Sequence, residues 1–240
     1  GAYYGGGPLI VITILLYLIG WILTFGIKPI QQVKKAVHSI WEQLSGGWAY
    51  SFSNKSIRHI LILDTVVAFA GAVWISAILY VYVDSVLGKS EAWWGYINAF
   101  YSGGFIIGGY FFAKLSRVSA HWLILIGCLV TGVLTIWFIY PVFAVVALIL
   151  SLLLGVVGQL QMLAQLMVLQ TQTEIDELGH VFSVQNVLTT GAFGIATFLF
   201  GWLAEYQGIE VTFYLSALIS IGAGVFALMK RKSLTYELVE

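Results

Sequence analysis

Gly103-Gly104-Phe105-Ile106-Ile107-Gly108-Gly109-Tyr110-Phe111-Phe112-Ala113-Lys114-Leu115-Ser116-Arg117 is the stretch that decides how this chain reads. Its first part is apolar and studded with glycine, and its end is a short loop with two cations. An apolar run that finishes on Lys and Arg reads as a helix leaving the bilayer on the positive side. Gly104 and Gly108 form a G-x-x-x-G pair, a bare face that another helix backbone can approach closely. Every other long apolar run can be oriented relative to that exit.

Composition agrees with a membrane protein. Of 240 residues, 60% are hydrophobic and 9% are charged, where a soluble domain carries about 25% charged residues. So few charges cannot cover a soluble surface. Formal net charge is zero, which gives no bulk electrostatic case for nucleic acid. The one cysteine, Cys128, lies inside an apolar run and reads as a small buried hydrophobe.

A span needs roughly 20 mostly apolar residues. Seven stretches qualify, at about 8–27, 57–83, 92–112, 119–140, 142–170, 181–204 and 209–229. Lipid offers no partner for a free backbone group, so each is expected to be a helix. None alternates apolar and polar residues as a barrel strand does. The expectation is therefore an all-α membrane protein with about seven transmembrane helices. The run over 8–27 lacks a basic leader and a small-residue cleavage site, so it reads as a span and not as a signal peptide.

Assigning alternate loops to the cytoplasm puts ten cations inside and only Lys89 outside. The N-terminus is then outside and the C-terminus is cytoplasmic. The domain plan is a first span over 1–27, a cytoplasmic connector over 28–56, a six-helix bundle over 57–229 and a tail over 230–240. In the connector, Ile30, Val33, Val37, Ile40, Trp41 and Leu44 recur at helical spacing, which predicts an amphipathic helix ended by Gly46-Gly47.

Few residues in the spans can carry chemistry. A carboxylate such as Asp64 costs roughly 2.5–3.5 kcal/mol at mid-helix on insertion scales, so it should face protein or water. It reads as a proton or cation site, or as a rim acid paired with Arg58 or a loop cation. Gln161 and Gln165 share one helix face, and Gln159 points elsewhere. Such amides either join helices or line a wet cavity, and Gln185 and Asn186 open the next span. Asn98 and Tyr101 lie one turn apart and offer a contact to an amphiphilic ligand, or simply pack; Trp74, Ser76 and Tyr80 invite the same two readings. Trp93 and Trp94 read as an interfacial belt. There is no H-E-x-x-H, G-x-S-x-G or P-loop, so no enzyme, catalytic residue or cofactor is expected. His38, His59, His121 and His180 show no i, i+4 pair that would suggest a metal site.

The order of these parts resembles the C-terminal half of the major facilitator superfamily. Gly109 to Arg117 is similar to its loop motif G-x-x-x-D-R-x-G-R, with Lys114 in place of an arginine, Ala113 in place of the acid and Ser116 in place of the second glycine. Gly179-His180-Val181-Phe182-Ser183 resembles the G-R-V-F-S opening of span eleven in the drug, macrolide and siderophore exporter branch. Gly201 to Gly208 resembles that branch's G-x-L-A-[DE]-x-x-G exit, and 41–64 resembles its central-loop helix entering span seven.

The resemblance implies spans six to twelve of a plasma-membrane transporter, a six-helix bundle with one preceding span. It further implies proton-coupled efflux of a hydrophobic or amphiphilic small molecule, with an N-terminal bundle as partner. Candidate substrate-lining residues are Asn98, Tyr101, Gln161, Gln165 and Asn186. Candidate gating or coupling residues are Asp64, Gly109, Lys114 and Arg117. The alternatives are a seven-helix receptor or photosensor, against which stands the lack of a lysine inside the last span, and a scaffold that transports nothing.

Overall fold

Helices account for the elements of the computed structural model, which describes residues 7–25, 40–74, 76–115, 118–140 and 143–234. The chain divides into two units, Gly1–Ser39 and Ile40–Glu240. In the first, α1 (Gly7–Thr24) is uniformly apolar.

The second unit holds α2 (Ile40–Ser53), α3 (Lys55–Gly71), α4 (Ser76–Val81), α5 (Ala92–Lys114), α6 (Ala120–Ile139), α7 (Ala144–Gln172), α8 (Leu178–Gln207) and α9 (Ile209–Met229). Five helical segments among the described residues are long and apolar enough to cross a membrane: Lys55–Val86, α6, α7, Ile175–Gln207 and α9. That is fewer than the seven expected. The other two expected spans are α1, an apolar helix of 18 residues, and α5, whose 23 residues include two tryptophans, three tyrosines, Asn98 and five glycines. α5 is long enough to span, but those residues lower its hydropathy. Its glycines instead let it lie directly against α7. A Cβ on Gly108 would stand 2.6 Å from the Val156 carbonyl oxygen. One on Gly104 would overlap the Leu152 carbonyl, and Gly155 faces the Tyr101 carbonyl in the same way. The G-x-x-x-G face is thus a backbone-to-backbone contact. Gly191, Gly194 and Gly222 have open space where a Cβ would stand and do no such packing.

The second span differs from its expected form. It is not one continuous helix over 57–83. α3 ends at Gly71, a 3₁₀ turn covers Ala72–Trp74, and α4 is followed by a wider turn over Tyr82–Val86. Trp74 packs edge-on against Phe138 and Phe213, at 4.9 and 5.3 Å between ring centres. That aromatic anchorage holds the segment where the helix departs from regular geometry.

The connector also differs. α2 runs through Gly46-Gly47 and stops at Ser53, so the glycine pair does not end it. Gly47 serves packing instead: a Cβ there would stand 3.0 Å from the His180 Cβ of α8. Asn54 makes the break, its Oδ1 accepting from the backbone N–H groups of Ser56 and Ile57 as an N-cap of α3. Ile30, Val33 and Val37 lie outside the described residues, as do the side chains of Ile40, Trp41 and Leu44.

Two apolar clusters hold the second unit. One gathers Tyr82, Phe138, Phe200 and Phe213; the other gathers Ile57, Ile60, Ile124, Val168 and Val181. α6 packs on α7 and α9, and α3 packs on α8 and α9. The α8–α9 turn is made by Gly208, whose φ of 94° and ψ of 159° suit only glycine.

Candidate functional site

A cavity of about 500 Å³ opens where α3, α5, α6, α7, α8 and α9 converge. That volume lies in the range of small-molecule sites, about 300–1,000 Å³. It draws on both core clusters, with Leu154 from one and Cys128 from the other. Cys128, read from sequence as a plain buried hydrophobe, is therefore also a wall residue.

Asp64 comes from the middle of α3 and is 7% exposed. The Gln185 side-chain amide of α8 donates to its Oδ2 at 2.5 Å. The rim pairing with Arg58 is not what the structure shows. The Arg58 guanidinium donates to the Phe52 carbonyl oxygen at 3.2 Å, one helix earlier. Asp64 is the one charged side chain among the residues lining the cavity.

Gln161 and Gln165 line the same cavity from α7 and are 4% and 6% exposed. Their shared helix face brings them there together. Gln161 lies across Gly127 of α6, where a Cβ would stand 2.7 Å from the Gln161 Cβ. Gln159, on the other face, is not a lining residue, and its Oε1 is sealed without a partner among the described residues. Tyr101 also lines the cavity, beside Phe105.

Asn98 and Asn186 do not line it. Asn98 turns back on α5 and donates to the Trp94 carbonyl oxygen at 2.8 Å. Asn186 is exposed and accepts from the Thr190 hydroxyl at 3.2 Å. One residue along a helix is about 100° of rotation, so facing Gln185 inward turns Asn186 away. Gly109 and Lys114 also stand away from the cavity. Gly109 approaches Gln159, and the Lys114 ammonium sits 4.5 Å from the centre of the Tyr110 ring. Arg117 lies outside the described residues.

Trp74, for which the sequence leaves ligand contact or packing open, lies in the wall, and the structure adds Thr131, Ser216 and Ser220 to it. Ser216 and Ser220 are four apart in the last span, a polar stripe the sequence displays as plainly as the glutamine pair. Thr131 has no comparable signal.

No family model matches the sequence. Over 231 residues the chain is 29% identical to the uncharacterized MFS-type transporter YfmI of Bacillus subtilis strain 168, covering 94% of this chain and 57% of that protein. Over 204 residues it is 26% identical to the uncharacterized MFS-type transporter YjbB of the same organism, covering 84% and 49%. Its relatives are named MFS-type transporters. That kinship supports the major facilitator superfamily, and the all-α membrane fold agrees with it. The chain spans about half the length of the curated relatives it matches. Six helices here converge on one cavity with Asp64 in its wall.

Proposed function

We propose that this chain forms the C-terminal bundle of a facilitator-type exporter in the plasma membrane. It works with an N-terminal bundle and moves a hydrophobic or amphiphilic small molecule outward in exchange for protons. The observation that carries this reading is Asp64, a buried carboxylate set in the wall of the six-helix cavity. An ionisable group at that depth is costly and marks a substrate or proton path by default. Tyr101, Gln161 and Gln165 supply polar contacts around it, and Trp74, Phe105 and Met162 supply apolar ones. Alternating access then requires the two bundles to rock about this cavity. Lys114 and Arg117 fit gating contacts at the cytoplasmic edge, with the N-terminus outside and the C-terminus inside.

Efflux of a fluorescent amphiphile from cells expressing the full-length protein tests the reading. Asp64→Asn should abolish the response of efflux to an imposed proton gradient. Unchanged efflux with unchanged gradient dependence would remove Asp64 from coupling.

A further inference from the structure

We infer that the end of the second unit where α3 begins and α9 finishes holds the phosphate of an anionic lipid headgroup, between Lys55, Arg58 and Lys230. The site lies apart from the cavity and does not depend on what the cavity takes.

Two membrane-length segments end there. One begins at Lys55, and the other, α9, stops at Met229, one residue before Lys230. The chain beyond α9 is tied down. The 3₁₀ turn Arg231–Ser233 folds back on α3, where His59 Nδ1 and the Ser233 hydroxyl are 2.8 Å apart. The His59 ring stands edge-on to Phe226 at 6.0 Å between centres, and Leu234 is buried in the cluster of Ile57 and Ile60. That anchorage holds Lys230 beside the first turn of α3. The charges of Lys230, Arg58 and Lys55 all act on the His59 ring, which puts the three cations in one neighbourhood.

The described residues leave this charge uncompensated. Lys55 and Lys230 form no ion pair among them. Arg58 gives one donor to the Phe52 carbonyl oxygen at 3.2 Å, out of the five its guanidinium carries. The first turn of α3 holds no acid, although a helix N-terminus is the positive end of its dipole and favours one. The acids nearest α2 are engaged elsewhere. The Glu174 N–H donates to the Tyr50 hydroxyl, and the Glu177 carboxylate lies 3.0 Å from His180 Nδ1. Asn54 already accepts from the Ser56 and Ile57 N–H groups, so an anion here meets side chains and not the helix backbone.

Phosphate suits that set. A guanidinium fork matches two phosphate oxygens, and lysines add point charges. Position favours a lipid as its source, because headgroups lie where a span leaves the hydrocarbon, and basic pockets between helix ends bind them. α2 supplies a second, independent sign. Trp48 and Phe52 stack at 5.7 Å between centres and are both exposed. Exposed aromatic rings settle at the membrane interface. Phe52 is also the residue whose carbonyl holds Arg58, so the aromatic pair and the cations are joined.

Lipid binding to the purified full-length protein in neutral detergent tests this, read by native mass spectrometry and melting temperature. Dioleoyl phosphatidylglycerol is the anionic probe, dioleoyl phosphatidylcholine the zwitterionic one and inorganic phosphate the free anion. The wild type should bind phosphatidylglycerol at least about fivefold more tightly than phosphatidylcholine, the effect of one basic residue near a charged membrane surface. Lys55→Gln combined with Lys230→Gln should erase the preference. Neither side chain makes an ion pair that folding depends on, so the lipid-free melting temperature should hold. Arg58→Lys keeps the charge and loses the fork, and should weaken phosphatidylglycerol alone. Lys89→Gln, at the other end of the Lys55–Val86 segment, should leave the preference intact. Equal binding of the two lipids, or a preference that survives the double variant, would overturn the site. Equal protection by inorganic phosphate would overturn a lipid as its occupant. A preference seen only after Glu237→Gln with Glu240→Gln would assign the cations to the chain's own acids and overturn it as well. Each of these failures leaves the transporter reading standing.

Discussion

The Ser216 hydroxyl of α9 donates to the Ala70 carbonyl oxygen at 2.8 Å, at the point where α3 gives way to the 3₁₀ turn. Carbonyls at a helix end lose their intrahelical donors, and inside a membrane no water replaces them. The Ala72 N–H is also directed at the Ala70 carbonyl, and the Ser216 hydroxyl adds a donor from a neighbouring helix. Ser216 thus ties the interruption in the second span to the last span, beside Gly71 and Trp74 in the cavity wall. Ser216→Ala should destabilise the purified protein by about 1 kcal/mol, within the range measured for hydrogen bonds between membrane helices. Thermal unfolding in detergent reads this, and hydrogen exchange should rise at 70–74 more than elsewhere in α3.

The α5–α7 contact makes a sharper prediction. Any side chain on Gly104 meets backbone: its Cβ would overlap the Leu152 carbonyl and stand 2.9 Å from the Val156 nitrogen. Backbone cannot swing aside as a flexible side chain does. Gly104→Ala should therefore separate the two helices and cost about 1–3 kcal/mol, as overpacking does. Gly191→Ala is the matched control, because nothing stands within 4 Å of its Cβ position. There the gain in helix propensity, about 1 kcal/mol, should leave stability unchanged or raised. Yield of monodisperse protein and melting temperature distinguish the two variants.

Much of this architecture was legible because lipid removes alternatives. Long apolar runs must be helices, so α6, α7 and α9 fall where the sequence places them, and α9 matches 209–229. Gly104 and Gly108 announced a contact, because absence of a Cβ has a direct steric meaning. The glycines at 46–47 misled for the same reason: bare residues suit a helix end and a tight packing face equally well, and the His180 contact decides between them. Asp64 was conspicuous as a charge in an apolar run, but its partner was not. The Asp64–Gln185 bond joins residues 121 positions apart, and periodicity carries no information across such a distance. The sequence reading puts Asn186 and not Gln185 among the lining residues; adjacent residues face different ways on a helix, and Gln185 is the one that lines the cavity. The Trp74 break was hidden because its cause is two rings on other helices, Phe138 and Phe213.

Tyr82 tests the aromatic cluster separately from its polar anchor. Its ring stacks on Phe138 at 4.7 Å between centres, and its hydroxyl donates to the Phe138 carbonyl oxygen at 2.5 Å. Tyr82→Phe keeps the ring and deletes the bond, so it should cost about 0.5–1.5 kcal/mol. Tyr82→Ala removes both and leaves a cavity, so it should cost about 3–5 kcal/mol, the range for large aromatic truncations. Equal losses from the two variants would mean that the hydroxyl carries the whole contribution, against the packing seen here. Denaturation midpoints in a common detergent give the comparison.

Sidedness is open to chemical labelling with the natural background left in place. Cys128 is the one cysteine in the sequence and is 1% exposed, so it should stay silent toward a bulky impermeant maleimide. Ser90 lies between α4 and α5 and is exposed, and Lys232 follows α9 and is exposed. The proposed orientation has the first of these outside and the second in the cytoplasm. In intact cells, Ser90→Cys should therefore label to completion and Lys232→Cys only after permeabilisation. The single cation of the 84–91 segment, Lys89, rests 5.9 Å from the centre of the Trp93 ring, so replacing Ser90 leaves that contact in place. The reverse pattern of labelling would invert the topology. It would also place the Lys114 end of α5 on the outer face, and its proposed gating role at the cytoplasmic edge would be lost.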